Sequence, residues 1–273
     1  MFTLLAHYRR PSTRAPFRHR SRLVLLTCVA LLGACELRAD QTEGSGTPHE
    51  ETRAIEAATR VAVHGEGLLV LAQGSDTALR IRADDNIVPL LRSEVVGGVL
   101  TLGPEDGVNV DPATPIVYEL TIPRIDAVET SGATRAEIGH VESPRFSLRT
   151  SGASHAEAES IDADRVVVES SGTSSIEATL ESSVANIALS GSSRIVLRGG
   201  ADEQEVEASG ASDYRASALR SHRAEVRASG SSSAALFADE SIRVDGSGAS
   251  SVRYQGGGRL SRSLSGVASV EAD

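Results

Sequence analysis

Eight Ser-Gly pairs recur from residue 131 onward, at Ser131-Gly132, Ser151-Gly152, Ser171-Gly172, Ser190-Gly191, Ser209-Gly210, Ser229-Gly230, Ser247-Gly248 and Ser265-Gly266. The intervals are 20, 20, 19, 19, 20, 18 and 18 residues. Spacing this steady is not composition noise, and local chemistry has no reason to repeat a word at that distance. The period is too short for stacked helix pairs, which need ~33 residues or more, and suits one turn of a β-solenoid.

Numbering each copy from its glycine sorts the residues into columns. Four residues before the glycine stand Val128, Leu148, Val168, Ile187, Val206, Val226, Val244 and then Arg262. Four after stand Ala136, Ala156, Ile176, Ile195, Tyr214, Ala234, Val252 and Val270; six after stand Ile138, Ala158, Ala178, Leu197, Ala216, Leu236, Tyr254 and Ala272. The intervening odd positions are mostly polar or charged. Apolar alternation with period two predicts strands with one face inward. Two short strands flank each corner, and the rest of the coil has room for a third. The expected fold is all-β, a single-stranded parallel β-helix of about 18–20 residues per coil. With no Trp, four Phe and four Tyr in 273 residues, its interior must be filled by Val, Ile, Leu and Ala in thin layers.

The repeated word is then a corner. Gly132, Gly152, Gly172, Gly191, Gly210, Gly230, Gly248 and Gly266 accept backbone angles that a Cβ disfavours. The serine before each, and the Ser or Thr two residues after it in seven of eight copies, can bond the corner backbone. Stacking also orders the charges. Three residues before glycine, Glu129, Arg149 and Glu169 alternate in sign, as do Glu207, Arg227 and Asp245. Facing opposite charges contribute ~0.2–1 kcal/mol per pair. Five after glycine, Glu137, Glu157 and Glu177 stack like on like. This is a solvated acidic strip or a weak divalent-cation site.

Residues 53–125 lack the Ser-Gly word but read as β. Arg60–His64, Leu68–Ala72, Ala78–Arg82, Val99–Leu102 and Ile116–Ile122 are the expected strands, with turns at Gly65-Glu66-Gly67 and Ala83–Asn86. A solenoid end needs cover, so this segment is expected to form the first irregular coils and the N-terminal cap, with the Ser-Gly helix over 126–273. Gly256-Gly257-Gly258, and Arg262 in an inward column, point to looser final coils.

The first 34 residues carry six arginines and no acid, followed by Leu23–Cys35, a largely apolar run ending in Leu32-Gly33-Ala34-Cys35. A basic stretch, an apolar run and small residues make a secretory signal, too short for a transmembrane helix of ~20 apolar residues. Its end resembles the lipobox of bacterial lipoproteins. Residues 1–34 therefore read as a signal peptide, with Cys35 lipidated and residues 35–52 a flexible polar tether; an ordinary signal peptide ending near a cysteine is the alternative. Lipidation of Cys35 leaves no free thiol for a disulfide. Glu36 after it favours an outer-membrane lipoprotein of the bacterial envelope. Without the six leader arginines, 21 arginines face 37 acids, a net charge of −16. Such a surface repels phosphate backbones, so nucleic acid is not an expected partner.

Taken together, several phrases resemble the auto-transporter adhesin head GIN domain family of bacterial β-solenoids. They are Gly67–Gly74 (GLLVLAQG), Leu79–Leu90 (LRIRADDNIVPL), Gly98–Leu102 (GVLTL) and the Ser-Gly-Ala-Ser words, together spanning about residues 55–273. The resemblance implies a right-handed β-helical body and an adhesive or envelope role. It supplies no catalytic residue.

The residues suggest no catalytic site either. His64, His140, His155 and His222 occupy unrelated positions, and there is no His-x-x-x-His pair, Cys cluster or phosphate-binding glycine loop. Gly246-Ser247-Gly248 comes close to a hydrolase elbow but belongs to the repeated corner. The expected function is thus a non-enzymatic lipid-anchored envelope protein, an adhesin-like binding or scaffolding module. No cofactor or metal is expected, and a surface glycan or protein is the expected ligand. The rivals are a β-helix enzyme acting on polysaccharide and a self-associating envelope spacer. Coils held to 18–20 residues leave no room for long loops around a glycan-cleaving groove.

Overall fold

A computed structural model describes residues 41–273. The leader 1–34 and Cys35 lie outside the described residues. The described residues form a β-solenoid with about seven turns, all β except for one short 3-10 turn at Val88–Leu90. Before the corner, Ala127–Thr130, Arg145–Thr150 and Arg165–Ser170 stack in parallel. After it, Ala133–Glu142 stacks on His155–Asp162. Further on, Ser175–Leu189, Arg194–Ala208 and Asp213–Ala228 each run unbroken from one corner to the next.

Strand pairing follows the columns residue by residue. Val128 pairs with Leu148, Leu148 with Val168, Val168 with Ile187, and so on through Val206, Val226 and Val244 to Arg262. Every member through Val244 is buried; Arg262 is exposed. Burying each such aliphatic side chain contributes ~1.5–3 kcal/mol, so the interior is a stack of thin apolar layers. The rest of the coil forms a short third side, which also pairs in parallel from coil to coil: His140–Glu142 with Ser160–Asp162, and Leu180–Ser182 with Gly199–Ala201. Within Ala133–Glu142 burial alternates to Ile138, then Gly139 and His140 both leave the interior before Val141 returns. Two successive outward residues mark the corner. The last coil, Arg259–Leu264 and Ser269–Ala272, pairs on one side only among the described residues. None of its residues is buried.

The N-terminal cap is interleaved. The coil formed by Arg60–Val63 and Glu66–Gln73 has Ala127–Thr130 and Ala133–Glu142 on one side. On its other side lie Val99–Pro104 and Val117–Ile122, which come later in the chain. Outside these, Leu91–Val96 pairs antiparallel with Val99–Pro104, and Ala78–Asp84 antiparallel with Val117–Ile122. Leu91–Val96 and a short strand at Asn109–Asp111 carry no apolar alternation long enough to announce them.

The tether expected over residues 35–52 is corrected where the structure describes it. Gln41–Glu43 pairs with Asn109–Asp111, and Pro48–Arg53 pairs antiparallel with Ala78–Asp84 as the outermost strand. Charged residues blunt that edge, which is why the segment reads as polar linker. Arg53 fastens it: its guanidinium donates to Val88 O at 2.8 Å and to Ser93 Oγ at 3.2 Å. Asp84 fastens it again. Read as part of a turn, it instead ends a strand with its side chain buried. Its carboxylate accepts the backbone N–H groups of Gly46 (3.0 Å), Ala113 (2.8 Å) and Thr114 (3.0 Å). Those bonds, Thr114's foremost, hold its pKa below the usual carboxylate range against the opposing effect of burial.

Candidate binding groove along the Ser-Gly corner

The eight corner glycines stand in one column. Each has a positive φ, +72° at Gly152, and a Cβ built there would lie 2.7 Å from the carbonyl oxygen of Gly132. The same holds up the stack, so glycine is required twice over: by its own angle and by the backbone beneath it. That carbonyl also accepts the Ala153 N–H at 2.8 Å, a bond repeated on every coil to Val267 N–H on Gly248 O. The column starts earlier than the Ser-Gly word. Gly65 lies under Gly132 and accepts Ala133 N–H at 2.7 Å, so the residue read as a simple turn is the first corner.

Two residues after the glycines, Thr134, Ser154, Ser174, Ser193, Ser212, Ser232 and Ser250 are all buried. Ser154 Oγ donates to Ser151 O at 2.8 Å and Ser174 Oγ to Ser171 O at 2.7 Å, closing the turn within a coil. Ser193, Ser232 and Ser250 instead donate to carbonyls of the preceding coil, at Ser170, Ala208 and Ala228. Six of the seven hydroxyls thus tie the corner together within and between coils, Thr134 through Ser131 O, while Ser212 Oγ has no partner among the described residues.

Beside this corner runs a groove of about 610 Å³. It is lined over seven coils by the residues one, two and three before each glycine. Its length is roughly 29 Å, six strand spacings of ~4.8 Å. The outer wall is the charged column. Arg149 donates to both carboxylate oxygens of Glu169, at 2.8 and 3.3 Å, and faces Glu129 in register on its other side. Arg227 reaches Glu205 at 2.9 Å and Glu207 at 3.4 Å. Between the two triplets lies an uncharged coil, Ala188-Leu189-Ser190. The hydroxyls of Ser171, Ser190, Ser229 and Ser247 line the groove with no hydrogen-bond partner among the described residues. The groove's existence was not apparent from the sequence, because column arithmetic gives neighbours and not concavity.

Glu137, Glu157 and Glu177 stack in register on adjacent strands, away from the groove. Arg135 lies 3.8 Å from Glu137 and Arg198 3.9 Å from Glu177. Among the described residues no group of three or more His, Cys, Asp or Glu side chains is placed to hold a metal ion. The histidines are dispersed: His64 contacts Pro104 O, His155 contacts Ser175 and His222 contacts Asp239.

The groove thus runs along the corner of a parallel β-solenoid. Residues 58–258 match the family described as "Putative auto-transporter adhesin, head GIN domain", and the chain belongs to that family. Solved structures share the fold. A putative adhesin from Parabacteroides merdae superposes with a TM-score of 0.80 at 17% identity, covering 86% of this chain and 99% of that one. A putative lipid binding protein from Parabacteroides distasonis gives 0.78 at 18% identity, covering 85% and 99%. A putative adhesin from Parabacteroides distasonis gives 0.77 at 20% identity, covering 86% and 100%. No curated protein matches the chain.

Proposed function

We propose that this chain is a non-enzymatic, lipid-anchored module of the bacterial cell envelope that binds an extended surface polymer, glycan or protein, along its corner groove. The observation that carries the reading is the groove itself: one continuous trough over seven coils, walled by paired charges and open hydroxyls. A repeating surface of that kind suits a linear ligand lying along the solenoid axis. Its titratable groups are engaged with one another in opposite-sign pairs rather than converging on a point where a reacting atom would sit. Membership of the adhesin head family supports a binding role at the surface. The anchor is Cys35, after removal of residues 1–34, with the outer membrane as its site. A glycan array and whole-cell binding, with and without the protein, test the ligand. Palmitate labelling tests the anchor: it is lost in Cys35→Ala if the thiol is acylated, and labelling unchanged by that substitution removes the anchor.

A further inference from the structure

Beyond the corner groove, the face that follows the corner changes sign along the axis. The column five residues after each glycine reads Glu137, Glu157, Glu177, Val196, Arg215, Ala235, Arg253 and Glu271, each in register with the next. At Val196, Arg215, Ala235 and Arg253 the face sinks into a second hollow, of about 580 Å³, which Arg198 also borders. The pairing of Arg194–Ala208 with Asp213–Ala228 shifts register between Val196 and Arg198, which opens the sheet surface there. On a chain whose acids outnumber its arginines 37 to 27, three guanidinium groups share this hollow.

The one acid lining it is already engaged. Asp213 is held by Arg194 at 3.2 Å, by Arg215 at 2.8 Å and by the Ser233 hydroxyl at 2.9 Å. Arg253 makes no ion pair among the described residues, although Glu271 is its register neighbour. Between Arg215 and Arg253 lies only the methyl group of Ala235. Their backbone positions are two strand spacings apart, ~9.6 Å.

We propose that this hollow is a binding site for an acidic oligosaccharide, with a carboxylate held by Arg253 and by the guanidinium N–H groups of Arg215 that Asp213 leaves free, and a second anionic group toward Arg198. Guanidinium forks match carboxylate geometry and bind it more strongly than neutral donors do. The floor of Ala218, Ala235 and Ser217 is flat and small, and the Ser217 hydroxyl has no protein partner among the described residues, so a sugar ring with its own hydroxyls fits over it. An acidic peptide fits less well: its amides would lie against a sheet face, which has no edge to pair them. The site is independent of the corner groove and of where the chain is anchored.

Calorimetric titration of the purified chain with tetragalacturonate, neutral tetragalactose and a tetraglutamate peptide tests the assignment. Tetragalacturonate binds, and Arg253→Ala weakens it by about tenfold or more. Ala235→Glu, which places a carboxylate between the two arginines, does the same while thermal melting stays at or above that of the parent. Arg60→Ala, in the N-terminal cap and outside both hollows, leaves this binding unchanged. The assignment is overturned if the parent does not bind tetragalacturonate, or if Arg253→Ala and Ala235→Glu bind it as the parent does. It is equally overturned if the neutral tetramer or the peptide binds as well, or if Arg60→Ala abolishes binding.

Discussion

Inside the solenoid the Tyr214 hydroxyl donates to Gln204 Oε1 at 3.0 Å, and the same amide donates onward to Ser221 Oγ at 2.7 Å and Phe237 O at 3.0 Å. Both Tyr214 and Gln204 are fully buried, and burial pushes the phenol pKa up. This small polar chain lets a large ring occupy a column otherwise filled by Ala, Ile and Val. Tyr214→Phe leaves Gln204 Oε1 without its donor in a dry interior. The expected loss is ~1–3 kcal/mol, read as a lower midpoint in chemical denaturation at unchanged slope.

Corner glycines differ sharply from loop glycines. Gly97 has φ +59° with nothing within 4 Å of a built Cβ, whereas Gly152 has φ +72° and the Gly132 carbonyl at 2.7 Å. Gly97→Ala incurs the left-handed penalty alone, ~1–2 kcal/mol. Gly152→Ala adds a backbone clash that the coil can relieve only by separating from its neighbour. Equilibrium denaturation is expected to rank Gly152→Ala as clearly the more damaging; equal losses at the two sites would contradict the stacked corner.

Acid sensitivity follows from Asp84. Its folded pKa is depressed by the N–H groups of Thr114, Ala113 and Gly46. The stability it contributes is therefore fully present above the unfolded value of ~3.9 and is lost as the pH falls through the folded pKa. Melting temperature measured from pH 7 to pH 2 should hold, as far as this group is concerned, down to about pH 4 and then fall. In Asp84→Asn the protein melts lower at neutral pH, and the difference from the parent narrows in acid.

The groove wall depends on alternation of sign. Arg149→Glu would set three carboxylates on consecutive coils in place of a charge-paired triplet. Two favourable cross-strand pairs become unfavourable ones, each pair worth ~0.2–1 kcal/mol. A modest fall in melting temperature at low salt, largely recovered at high salt, is the expected result. Whole-cell binding through the groove should fall with it.

Much of the repeat could be read directly from residues. The spacing of Gly132 through Gly266 identifies the coil, and the column from Val128 to Val244 identifies what faces inward, because a period of two leaves no freedom in where a side chain points. The cap could not be read in that way. Gly65 follows His64 rather than Ser, and its stacking partner Gly132 lies 67 positions further on, so no local pattern links them. Asp84 sits in a polar run and looks like a turn until its three backbone donors, from residues far away in sequence, are known. Pro48–Arg53 is an edge strand, and edge strands are polar on both faces for the reason that linkers are. The hollow around Arg253 depends on a register shift, which changes no column by more than one residue.

The interleaved cap constrains how the molecule can assemble. A chain emerging N-terminus first exposes Arg60–Gln73 with both long edges bare, and neither neighbour exists until residues near 100 and 127 have followed. The solenoid therefore does not wind up from its first turn. Residues from Arg60 to Glu142 must gather before that coil has company on both sides, whereas each later turn needs only the turns next to it in the chain.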